Sequence, residues 1–286
     1  MGHFKSVSRK RKLKRKVVFI IFLSIVLFLI VFLFKNQLSV DNKTLKDFSL
    51  AYMHLNVKDE TVFVEKSHEK KEIIVEKKEK QNPTLYIYNT HQTEKYNHEA
   101  ANEYGISYDV LYASKILKNY LSKEGIISVV EENSIPKLLN EKNYNYGQSY
   151  LASRILLEQS IIDNPSLNFF IDLHRDSSSY EATTCEIDGK KYAKILFVLG
   201  LENDNYEKNK RVINDLNERL KDFNSCLSRG IMAKEGPNVN GVYNQDFNEN
   251  VILMEVGGQY NTIDEVDRIL KIMAKILASY LGSSYE

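Results

Sequence analysis

The stretch LNFFIDLHRDSS, residues 167–178, joins an apolar run to an imidazole, a guanidinium and a carboxylate with no turn signal between them. Phe169, Phe170, Ile171 and Leu173 form the near-continuous pattern of a strand covered on both faces, which belongs to a parallel sheet flanked by helices. Outward from this strand the chain alternates. TLYIYN (84–89) reads as a short strand and YDVLYASKILKNYLSKEG (108–125) as a helix stopped by Gly125. IISVVE (126–131) reads as a strand and YGQSYLASRILLEQSII (146–162) as a helix. TTCEIDGKKYAKILFVLG (183–200) breaks the alternation, with a hairpin turning at Asp188-Gly189 and then a long buried strand. A helix over 206–225, a loop containing EGPNVNGVYNQDFN, a strand NVILMEVGG (250–258) and an amphipathic helix over 262–281, capped by Thr262, complete the domain. The order predicts an α/β fold: an open, mostly parallel sheet with helices on both faces.

In such a sheet the carboxyl ends of the strands open on one edge, and ligands bind there. Three strands deliver comparable groups to that edge: His91 after the first, His174 at the end of the third, and Glu255 at the end of the last. Glu94 follows His91 in an H-x-x-E spacing, which brings a carboxylate and an imidazole to one ion if the loop turns. His91, Glu94 and His174 would make a His₂Glu set, a ligand class of catalytic Zn²⁺ that leaves a position for water. Taken alone, H-x-x-E recurs by chance, and strand-end histidines are commonly hydrogen-bonded instead. Glu255 could act as a general base or sit in a buried ion pair. Gly257 and Gly258 would let backbone approach a substrate. Arg175 could pin a substrate carboxylate or pair with Asp172 or Asp176. There is no G-x-S-x-G, P-loop or dinucleotide fingerprint.

Charge divides the chain. Residues 1–83 carry 18 Lys+Arg against 9 Asp+Glu, and residues 84–286 carry 21 against 29, so the formal net charge of +1 hides an acidic main domain. That domain lacks a basic stripe and is a poor nucleic-acid binder. Residues 1–16 read as a basic cytoplasmic tail, and VVFIIFLSIVLFLIVFLF (17–34) as an uncleaved transmembrane helix, with no small-x-small cleavage site after it. Residues 35–83 are charged and repetitive, a solvated stalk before the domain at 84–286. This predicts a single-pass membrane protein with the domain outside the cytoplasm. Its two cysteines, Cys185 and Cys226, have no metal-ligand spacing and are expected to be unpaired thiols, although one bridge is open to them.

With these residues assembled, the domain resembles the stage II sporulation protein P family. YNTHQTEKY (88–96), FFIDLHRDS (169–177), ENDNYEKN (202–209), NGVYNQD (240–246) and ILMEVGGQYNT (252–262) match its blocks in order. The resemblance implies a zinc-dependent N-acetylmuramoyl-L-alanine amidase that also acts as an endopeptidase on peptidoglycan at the sporulation septum. It implies stage II sporulation proteins D and M as partners. It assigns His91 and His174 as metal ligands and Glu255 as the catalytic glutamate, with Glu94 as third ligand and Asp109 as its competitor. Arg175 and Asn261, within the matched blocks, are the expected substrate-binding residues. The family's first motif reads His-Thr-His, whereas Asn89 stands here in place of its first His. Position 89 is therefore not an obligatory ligand. His98 falls outside the pattern and is expected on the surface. The rival readings are a wall-binding protein with a decayed site and a secreted metallopeptidase without amidase activity.

Overall fold

The computed structural model describes residues 82–97 and 108–283, which belong to one compact unit, Phe63–Glu286. The expected tail, the membrane span, nearly all of the stalk and His98 lie outside the described residues. Among the described residues no helix is long and apolar enough to cross a membrane.

The strands are β1 (Leu85–Tyr88), β2 (Ser128–Val130), β3 (Phe169–Asp176), β4 (Thr184–Ile187), β5 (Lys190–Ala193), β6 (Ile195–Gly200), β7 (Ser228–Lys234) and β8 (Val251–Gly258). The helices are α1 (Val110–Lys123), α2 (Ile135–Lys142), α3 (Ser149–Asp163), the single-turn α4 (Tyr180–Thr183), α5 (Tyr206–Asn224) and α6 (Ile263–Ser283). Six strands form one sheet in the order β2-β1-β3-β8-β6-β7, and β4-β5 form a separate hairpin. Strands β2, β1, β3 and β8 are mutually parallel; β6 runs antiparallel to β8, and β7 follows β6.

The reversal has a local cause. A parallel return needs a crossover of a dozen or more residues across the sheet, usually helical. The chain after β3 instead makes α4 and the β4-β5 hairpin and stays at the carboxyl edge, where Lys194 O accepts from Gly257 N at 2.8 Å. Strand β6 therefore starts where β3 ended and runs back. The hairpin turns at Asp188 and Gly189, with φ of 49° and 72°, the left-handed pair of a type I′ turn.

Both sheet faces are covered, which is why β1, β3, β6 and β8 are apolar almost throughout. One face carries Leu85, Ile87, Phe169, Ile171, Ile252 and Met254, packed with α1, α5 and α6. The other carries Tyr86, Tyr88, Phe170 and Val251, packed with Leu157 of α3 and with Phe247 of the loop between β7 and β8. That loop stands in for a helix. Gln245, fully buried, donates to Val198 O and accepts from Gly200 N, both at 2.8 Å, and so holds the loop to β6.

Helix starts follow their sequence signals. Asp109 caps α1 by accepting from Tyr112 N at 2.9 Å. Thr262 and Glu265 form a reciprocal pair at the start of α6. Three elements went unread in the sequence: the single-turn α4, helix α2 and strand β7. Helix α2 is short, and β7 is half-exposed without clean alternation, so neither has a strong period. The cysteine expectation is corrected: Cys185 of β4 and Cys226 after α5 form a disulfide, with Cα atoms 5.9 Å apart. They are 41 residues apart in sequence, and only the packing of the hairpin beside α5 makes them neighbours.

Candidate active site

Strand alternation sets the site. On β3, Asp172 and His174 follow Phe170 on the face that meets α3, and register pairs Phe170 with Val251 and His174 with Glu255. A parallel register thus carries the imidazole of His174 and the carboxylate of Glu255 to the same height on the same face. Just beyond, the pairing shifts, so that Asp176 meets Gly258. Gly257 absorbs this bulge with φ of 63°, and a Cβ there would stand 2.7 Å from Asn261 Oδ1 and 2.8 Å from Ala193 Cβ. The Gly-Gly pair therefore serves the bulge and the packing of Gly258 on Thr183, rather than close approach to a substrate.

The first motif arrives through a turn. Glu94 N donates to His91 O at 3.0 Å, which folds the H-x-x-E spacing back on itself. The rings of His91 and His174 then lie edge to face, with centroids 5.4 Å apart. Glu94 Oε2 is 3.6 Å from His174 Nδ1 and accepts from Arg175 N at 3.0 Å. His174 is 3% exposed, and its Nε2 lies 2.9 Å from Oδ1 of the fully buried Asp172, though not aimed along a well-directed hydrogen bond. Asp172 also accepts from Thr90 N at 2.9 Å and Thr90 Oγ1 at 2.7 Å.

Protonation follows from these neighbours. Burial, helped by His174, holds the His91 imidazole below its usual range, so it is neutral at pH 7. Burial also works against the His174 imidazolium, but the Asp172 and Glu94 carboxylates outweigh it and hold its pKa well above the usual value. Burial would raise Glu94, yet His174 and the Arg175 N–H lower it. Burial pushes Glu255 up to about 7, with His174 opposing and Glu94 assisting. Oε2 of Glu255 and Nδ1 of His91 are buried without a hydrogen-bond partner.

Those two atoms test whether a metal suits the site. Among the described residues no group of three or more His, Cys, Asp or Glu side chains closes into a metal-holding cluster. The donor types nevertheless fit zinc: two imidazoles and a carboxylate, one imidazole having an unused buried nitrogen. The 3.6 Å between Glu94 Oε2 and His174 Nδ1 is close to the separation of two ligands each about 2.0–2.1 Å from one ion. Asp172 stands where a carboxylate orients a ligating imidazole from behind.

The remaining sequence candidates fall elsewhere. Asp109 is engaged as the α1 cap. Asn89 points to the opposite sheet face, donating to Leu173 O at 2.6 Å and accepting from Ser114 Oγ at 3.1 Å. Asn261 is fully buried, and its amide binds Gly258 N, Thr184 Oγ1 and Glu265 Oε2, so it braces the β8–α6 turn and does not face the cluster. Arg175 donates to the Lys95 and Asp176 carbonyls, while the Asp176 carboxylate pairs with Arg229 of β7. Asp172 was missed. Its i, i+2 spacing to His174 was the available signal, since strand alternation puts both on one face.

A family model for Stage II sporulation protein P (SpoIIP) matches residues 35–278. The chain belongs to the stage II sporulation protein P family. Stage II sporulation protein P of Bacillus subtilis (strain 168) is 32% identical over 207 residues, covering 68% of this chain and 50% of that protein. This chain thus spans about half the length of that curated relative. Among solved structures, the N-acetylmuramoyl-L-alanine amidase from Clostridium difficile 630 aligns with a TM-score of 0.42 at 17% identity, over 71% of this chain and 99% of that one. The CwlD amidase from Clostridioides difficile, in complex with the GerS lipoprotein, aligns with a TM-score of 0.42 at 14% identity, over 70% and 99%.

Proposed function

We propose that this family member is a membrane-anchored peptidoglycan hydrolase of the sporulation septum, a zinc-dependent N-acetylmuramoyl-L-alanine amidase with endopeptidase activity. The observation that carries the reading is the in-register pair His174 and Glu255 at the carboxyl edge, with His91 and Glu94 turned onto it. His91, Glu94 and His174 would hold the metal. Zinc, when bound, supplies a Lewis acid that polarises the amide carbonyl and makes water more acidic. Glu255 takes the proton of the attacking water on Oε2 and delivers it to the departing amine. Its pKa of about 7 suits both transfers at neutral pH. Asp172 fixes the His174 ring from behind, and Arg175 offers a cation to the carboxylates of the stem peptide. Residues 17–34 anchor the chain, and stage II sporulation proteins D and M are the partners. The Cys185–Cys226 bridge accords with an oxidising compartment outside the cytoplasm.

The deciding experiment incubates the purified full-length chain with isolated sacculi and identifies the fragments. The expected products are free stem peptides beginning at L-alanine, lost after chelation and restored by Zn²⁺. Cleavage only within the peptide would favour the metallopeptidase, and wall binding without products would favour a decayed site.

A further inference from the structure

The aromatic wall beside His91 is larger than the support of one imidazole requires. The Tyr146 ring stacks on His91, with centroids 4.9 Å apart and planes 20° from parallel, yet the residue is 59% exposed. One ring face is therefore held against the imidazole and the other is open to solvent. Tyr150 stands edge-on to His91 at 5.7 Å and to Tyr243 at 5.4 Å, extending the wall to the β7–β8 loop.

Burial does not explain why Tyr146 keeps this position, but its turn does. Asn145 N donates to Gln148 Oε1 at 2.9 Å in a reciprocal cap, and Ser149 Oγ donates to Tyr146 O at 2.7 Å. The loop supplies a second, independent observation. Tyr243 has φ of 54° and Asn244 φ of 56°, left-handed values that are unusual for a bulky residue such as tyrosine. Asn240 Oδ1 accepts from Tyr243 N at 2.5 Å, and the Asn244 amide donates to Tyr150 O at 3.1 Å and Ser153 Oγ at 3.0 Å. Such backbone persists only where its surroundings over-determine it, and it concentrates at ligand sites. An exposed ring held rigid before any ligand arrives loses little entropy on binding.

We propose that the open face of Tyr146 is the floor of a carbohydrate subsite, with Tyr150 and Tyr243 as its side wall. It would take the C–H face of the N-acetylmuramic acid ring that bears the scissile amide. The proposal rests on the peptidoglycan reading above. The amide joins a sugar to an alanine, and only the sugar presents a flat array of C–H groups wide enough to cover a phenol. Those hydrogens carry weak positive charge, which suits the negative face of an aromatic ring. The peptide would then leave toward Arg175, whose guanidinium rests on backbone carbonyls.

The test breaks no bond, so it is independent of amidase activity. Full-length wild type, Tyr146→Ala, Tyr146→Leu, Tyr146→Trp and Phe223→Ala are sedimented with peptide-free glycan strands and titrated with free stem tetrapeptide. Phe223, on α5, is a control aromatic at 58% exposure. Tyr146→Ala and Tyr146→Leu should weaken glycan binding about tenfold, the upper range for one aromatic contact. Tyr146→Trp and Phe223→Ala should bind as wild type, and tetrapeptide affinity should not change in any variant. Thermal midpoints establish that each variant is folded. Wild-type glycan binding by folded Tyr146→Ala and Tyr146→Leu overturns the proposal, as does a loss confined to the tetrapeptide or no glycan binding by wild type. Tyr146-dependent glycan binding without peptide release from sacculi would keep the subsite and remove the amidase reading. Peptide release with Tyr146-independent binding would do the reverse.

Discussion

Glu255 and Asp172 both stand near the His174 imidazole, and the proposed function gives them different roles, base and support, which substitution separates. Glu255 lies within β8, three residues before its end, so the sheet holds its backbone, and its Oε2 is buried without a hydrogen-bond partner. Glu255→Gln keeps the shape and removes proton acceptance. It should fold and retain zinc while losing wall hydrolysis by roughly 10²-fold or more, the scale of general-base loss. Zinc content, thermal midpoint and rate on one preparation check this; zinc lost together with rate would make Glu255 a ligand instead. Asp172 is fully buried and touches no space a substrate could enter. Asp172→Asn keeps the size and removes the charge that holds His174. Zinc affinity should fall by about 10–100-fold, as for other carboxylates behind a ligating histidine. A competition titration with a chromophoric chelator measures it, and unchanged affinity would sink the role.

At the scale of elements, the end of β8 carries the site because a bulge lets it. Gly257 takes φ of 63° between Asn261 and Ala193, where a Cβ would meet both at under 3 Å. Gly257→Ala should shift the β8 end and the Asn261 brace together, costing about 1–3 kcal/mol, as overpacking does. Urea unfolding gives the stability, and the hydrolysis rate reports the displaced Glu255. A variant as stable and active as wild type would show that the turn yields freely. The β4-β5 hairpin matters at the same scale. It starts β6 at the carboxyl edge, reverses the outer strands, and holds Cys185 beside Cys226.

The described residues form a sheet closed on both faces by helices and one long loop, and they bury many phenols. Burial is the first cause that holds Tyr86, Tyr88, Tyr96 and Tyr150 well above the usual tyrosine range. An unfolded chain releases these protons near pH 10, whereas the native protein keeps them. Above pH 10 the unfolded state therefore binds fewer protons, and stability falls as pH rises. Phenolate absorbance should show exposed tyrosines titrating first and the buried ones in one cooperative step, together with the loss of far-UV circular dichroism. Smooth titration of every tyrosine with the native spectrum intact would contradict this.

Periodicity and local chemistry alone determined most of the architecture. Near-continuous apolar runs announced two-faced strands, the Asp188-Gly189 pair announced the hairpin, and strand ends located His91, His174 and Glu255, because these signals depend on residues close in sequence. Helix α2 and strand β7 were not legible, since a short or half-exposed element carries little period. The reversal of β6, the disulfide and the tyrosine wall were decided only in three dimensions. Each depends on which segments become neighbours once the hydrophobic faces close. Asn89 and Asn261 show the limit most clearly. Both stand among the matched blocks and both are polar, but pleat and packing turn their amides into the fold. Side-chain direction at a strand end follows from register and bulges, which neighbouring strands impose and no single segment encodes.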